Sequence, residues 1–96
     1  MADNYQIEKN DGKESVARCK RGRVAKIVVD KNVCIGAGSC VVVTPGVFQL
    51  DKENKAYIVD PNTANEDELL LSAQSCPVSA IKLYDEEGKQ IWPEAN

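Results

Sequence analysis

Three cysteines stand where their thiolates could share one metal centre. Cys34 and Cys40 are separated by five residues that include Gly36 and Gly38, and Cys76 lies far downstream with Pro77 directly after it. Thiolates are soft donors suited to iron–sulfur clusters, and one recurrent ligand run is Cys-x2-Cys-x2-Cys-x3-Cys-Pro. Laid on residue 34, the run places its ligand positions on Cys34, Ala37, Cys40 and Thr44 and its proline on Pro45. Laid backward from Cys76-Pro77, it places the other three on Glu66, Leu69 and Ser72. Where two such runs serve two clusters, the last cysteine of each ligates the other run's cluster. One site would therefore draw on Cys34, Ala37, Cys40 and Cys76. The other would draw on Glu66, Leu69, Ser72 and Thr44, with no thiolate at all. One site is expected to survive and one to be lost.

The surrounding residues suit that chemistry. The backbone of Ile35, Gly36, Gly38 and Ser39 can turn tightly and aim N–H groups at bound sulfides, because glycine tolerates positive φ. Pro77 stiffens the chain beside Cys76. Ala37 offers no donor, so the corner it faces would be empty, giving 3Fe–4S, or filled by a fourth iron on water, hydroxide or an outside ligand. Ligand count favours the empty corner and hence 3Fe–4S over 4Fe–4S. Buried small side chains or a disulfide between Cys34 and Cys40 are alternatives, but neither accounts for the intervening glycines or the distant Cys-Pro. Zinc held by three thiolates and a carboxylate is a further alternative, although closely spaced cysteine pairs are absent. Cys19 matches no ligand position and reads as a thiol outside the cluster; a ligand or a dimer disulfide is the lesser alternative.

Composition narrows the function. With no histidine among 96 residues, there is no Ser-His-Asp triad, Cys-His pair or His-ligated zinc. The chain shows no nucleophile, base or substrate pocket in its motifs, so an enzyme is not expected. Its longest apolar runs are Cys40-Val41-Val42-Val43 and Ala56-Tyr57-Ile58-Val59, too short to span a membrane. No secretory pattern opens the chain, so a cytoplasmic location with reduced thiols is expected. Residues 1–26 carry a net charge of +3 and residues 27–96 a net −6. We read residues 1–23 as a polar, partly basic arm, loosely ordered over 1–15, and 24–96 as one folded domain. The basic cluster Lys20-Arg21-Gly22-Arg23 is read as a solvated stretch, and the acidic body disfavours nucleic acid.

The elements that must position the cysteines follow from local pattern. Residues 24–30 read as a β-branched strand, 34–40 as a glycine loop and 40–44 as a short helical turn stopped by Pro45-Gly46. Residues 47–50 and 56–59 read as a hairpin around a polar turn. Asn65 with Glu68 forms a capping box opening a helix to about Ser75, with Leu69, Leu70 and Ala73 toward the core. Strands follow over 80–84 and 89–92. The order suggests two β-α-β halves.

Over about residues 24–92 the chain resembles a single-cluster bacterial-type ferredoxin. The resemblance is carried by Cys34-Ile35-Gly36-Ala37-Gly38-Ser39-Cys40, by Thr44-Pro45-Gly46-Val47-Phe48 and by Ser75-Cys76-Pro77-Val78-Ser79-Ala80-Ile81. It implies an α+β, ferredoxin-like (β-α-β)2 fold, with Cys34, Cys40 and Cys76 as ligands. It also implies a monomeric one-electron carrier between a ferredoxin reductase and an electron-accepting enzyme. The nearest likeness is to small ferredoxins that serve haem-thiolate monooxygenases, which often lack the second cysteine and carry 3Fe–4S. A cluster-based redox sensor and a zinc-stabilised interaction module are the alternatives.

Overall fold

The computed structural model describes residues 6–32, 38–75 and 80–92. Its centre is a strand, β3 (Val24–Asp30), whose Val24, Ile27 and Val29 are buried. These β-branched side chains favour a pleated, packed surface. On one side β3 pairs antiparallel with β2 (Glu14–Arg21), and β2 with β1 (Gln6–Asn10). On the other side β3 pairs with β6 (Ile81–Tyr84), and β6 with β7 (Gln90–Trp92). The five strands form one sheet in the order β1-β2-β3-β6-β7. Strands β4 (Phe48–Leu50) and β5 (Ala56–Ile58) form a separate antiparallel pair.

Among the described residues two α-helices complete the fold. Helix α1 (Ser39–Val43) joins β3 to β4, and α2 (Glu66–Ser75) joins β5 to β6. The units β3-α1-β4 and β5-α2-β6 are the two expected β-α-β halves, and the pairings β3–β6 and β4–β5 relate them as a two-fold would. The capping box is formed: the Glu68 N–H donates to Asn65 Oδ1 at 2.8 Å, and the Asn65 N–H donates to Glu68 Oε1 at 3.0 Å. Leu69 and Ala73 are fully buried in a core with Ile27, Val47, Phe48, Ile81 and Leu83. Among the described residues no helix is long and apolar enough to cross a membrane.

The N-terminal segment departs from expectation. The arm expected to be loose over residues 1–15 forms β1 and the start of β2 from residue 6 onward, and the sheet runs through the anticipated 23/24 boundary. Two physical facts hid this. Strand β1 is exposed along its whole length, so it carries no apolar alternation and is held by backbone pairing with β2 and by polar contacts of Glu8, Lys9 and Asn10. Strand β2 buries Ser15, Val16 and Ala17 in succession, a run without apolar alternation in which two of the three are small residues that hydropathy barely registers. The Ser15 hydroxyl accepts the Ile58 N–H at 3.1 Å, tying β2 to β5. The overlooked signal was Asp11-Gly12: Asp11 Oδ1 accepts N–H bonds from Lys13 and Glu14 at 2.8 and 2.9 Å and closes the β1–β2 turn.

Candidate functional site

Of the residues singled out by sequence, Cys40, Gly38 and Ser39 fall within the described chain. Cys34, Ile35, Gly36, Ala37 and Cys76 lie outside the described residues. Cys40 is the second residue of α1 and is buried, 6% exposed, within the main apolar core. Its carbonyl accepts the Thr44 N–H at 2.9 Å and the Thr44 hydroxyl at 3.0 Å. Gly38 caps α1 in the left-handed conformation, φ 76° and ψ 1°. Little crowds a methyl group there, the nearest atom being Leu50 Cδ1 at 3.9 Å, so the backbone conformation is what calls for glycine. The Gly38 carbonyl accepts the Val42 N–H at 3.0 Å and starts the helix.

The described elements before the other two cysteines end close to them in sequence. Strand β3 ends at Asp30, four residues before Cys34, and α2 ends at Ser75, directly before Cys76. Helices α1 and α2 pack against each other. Among the described residues no three His, Cys, Asp or Glu side chains converge on a metal; two of the three ligand candidates lie outside them. The donor chemistry fits an iron–sulfur group: a buried cysteine in apolar surroundings, no histidine in the chain, and glycine in a left-handed turn at the helix start.

Three of the four positions that the run pattern assigns to a second site are filled by packing. Thr44 is buried and its hydroxyl is satisfied by Cys40 O. Leu69 is fully buried, and the Ser72 hydroxyl donates to Leu69 O at 2.8 Å. Glu66 turns outward to the β2–β3 turn, where it accepts the Arg23 backbone N–H at 2.7 Å and Arg23 Nε at 2.8 Å. These bonds, the backbone one first, hold the Glu66 carboxyl below its ordinary value. Gly22, at φ 62°, lacks the Cβ that would collide with this carboxylate. Cys19 sits half-buried on β2 against the core, its thiol 3.7 Å from the Val24 carbonyl.

Residues 29–83 match the family described as the 4Fe-4S single cluster domain of Ferredoxin I. The chain belongs to this ferredoxin family. It is 40% identical over 62 residues to Ferredoxin-1 of Desulfocurvibacter africanus, a match spanning 64% of this chain and 95% of that one. It is 41% identical over 60 residues to a ferredoxin of Thermococcus litoralis, spanning 58% and 93%. The crystal structure of ferredoxin I from Desulfovibrio africanus superimposes with a TM-score of 0.58 at 39% identity, covering 62% of this chain and 95% of that one. The fold is therefore α+β and ferredoxin-like, and the protein is a non-catalytic electron carrier of the bacterial ferredoxin type. The family overturns one expectation. Its domain carries a 4Fe–4S cluster, so the preference for 3Fe–4S drawn from Ala37 is corrected. Counting cysteines counts protein ligands, not irons: an iron at a corner without a thiolate can take a ligand from outside the chain.

Proposed function

We propose that this ferredoxin binds a single 4Fe–4S cluster through Cys34, Cys40 and Cys76, with a non-cysteine ligand at the corner nearest Ala37. It shuttles single electrons between a reductase and an acceptor enzyme, the acceptor being of the haem-thiolate monooxygenase kind that the sequence resemblance suggests. The observation that carries the reading is the family match over residues 29–83, a span that contains all three cysteines. A bound cluster supplies a one-electron couple; the chain supplies thiolates, a buried setting at Cys40 and a surface for partners. The second site would have no thiolate, and its Thr44, Leu69 and Ser72 are buried, which supports one cluster and not two.

Iron and sulfide analysis combined with EPR tests this. Four irons and four sulfides per chain are expected, with a silent oxidised sample and a signal on reduction. Cys40→Ser should lose the cluster, whereas Cys19→Ser should keep its iron content. A signal in the oxidised state with three irons, or a colourless zinc-containing protein prepared without air, would overturn the proposal.

A further inference from the structure

Lys31 is buried, at 5% exposure, directly after β3. An ammonium is stable in such a place only if it is paired and hydrogen-bonded. Its Nζ donates to Asn10 Oδ1 at 2.8 Å and to Asp51 Oδ2 at 3.3 Å, and it lies 5.9 Å from the centroid of the Tyr57 ring. Its backbone N–H donates to the Lys13 carbonyl at 2.9 Å. Lys31 is thus gripped twice by the β1–β2 hairpin: at Asn10, which ends β1, and at Lys13, in the turn. Asp51 is itself fixed, its Oδ1 accepting the Glu53 and Lys55 N–H groups at 2.9 and 3.0 Å.

The location of this knot gives it a use. Cys34 follows three residues later, a span of at most about 11 Å of chain. Asp51 follows Leu50, whose side chain lies against the Gly38 position at the other end of the loop. The ammonium therefore ties the segment entering the loop to the segment lying against its exit. The hairpin that grips it precedes the residues matched by the ferredoxin family, so this tie is added to the common domain.

We propose that Lys31 is a positioning residue for the cluster loop, and that the β1–β2 hairpin acts through it as a brace on the cluster site. The inference rests on the proposed cluster site and deepens it. A buried ion pair is weak evidence for stability, because an apolar residue of similar shape often replaces it without loss. Its value here is in fixing geometry, which predicts an effect on the cluster larger than the effect on the fold.

Three single variants of the full-length, cluster-loaded protein test this. Lys31→Met keeps the stem and removes the ammonium. Lys31→Arg keeps a charge of similar reach. Asn10→Ala cuts only the side-chain tie to the hairpin, at an exposed strand end. Three readouts are compared: the rate of iron release to a ferrous chelator, the reduction potential, and the unfolding temperature. Lys31→Met and Asn10→Ala should release iron several-fold faster and shift the potential, with Lys31→Arg close to wild type. Wild-type release and potential in both Lys31→Met and Asn10→Ala would overturn the brace, as would a lowered unfolding temperature with both cluster readouts unchanged. Should Lys31→Met fail to fold, Asn10→Ala decides by the same two readouts. A wild-type protein that takes up no iron and sulfide would instead overturn the reading of the site, and the brace with it.

Discussion

Glu66 occupies a position where a second cluster would need a thiolate, and it has been turned to a different task. Its carboxylate holds the β2–β3 turn through the Arg23 backbone and side chain. The backbone bond, then the side-chain bond, lower its pKa below the ordinary 4.5. A carboxyl whose folded pKa is depressed adds stability above its unfolded pKa, and that stability is lost as pH falls through the folded value. Glu66→Gln should therefore unfold at a lower temperature than wild type at neutral pH. The difference should narrow as pH drops below about 4.5, the ordinary carboxyl value from which the shift departs. Thermal unfolding across that range measures it, and a difference independent of pH would rule out the ionised clamp. Candidate ligand positions were named from spacing alone, because thiolate ligation of a cluster implies a strict pattern. The partner of Glu66 was not, since Arg23 lies 43 residues away and only the fold brings them together.

Elements that bury one apolar face were read closely from the sequence. Strand β3 runs over Val24–Asp30 and α2 ends at Ser75, both as expected, because β-branched runs and capping boxes are local signals. Asn65→Ala removes the acceptor of the Glu68 N–H and should cost about 1 kcal/mol, read by denaturant unfolding. Strands that bury no large side chain in an alternating pattern were missed, and β1 and β2 are the examples. Their contribution to the fold is testable by deleting residues 1–21. That deletion strips Val16 and Ala17 from the interior and leaves β3 as an open edge. Val16 alone represents about 2 kcal/mol of apolar burial. The truncated protein should unfold at a clearly lower temperature and associate through the exposed edge, seen by calorimetry and light scattering. An unchanged, monodisperse protein would mean that the hairpin only decorates the domain.

At the scale of the molecule, the division into a +3 segment and a −6 segment is altered by pairing. Arg18 meets Glu8 at 2.6 Å, Lys9 lies 3.5 Å from Glu14 and 3.7 Å from Asp11, and Arg23 meets Glu66 at 2.8 Å. Much of the basic character of the N-terminal segment is met by carboxylates, most of them its own. Glu53, Asp67, Glu86 and Glu87 meanwhile stand exposed on the remainder. Each surface pair contributes little to stability, but the pairing leaves a net negative field on the molecule. Such a field accelerates encounter with a cationic partner and slows encounter with an anionic one, and both effects fade once the Debye length falls to about 8 Å near physiological salt. Stopped-flow oxidation of the reduced protein by a cationic and by an anionic small oxidant separates the two. With rising salt the rate should fall for the cation and rise for the anion. Parallel slopes would show that the exposed carboxylates serve solubility and do not select partners.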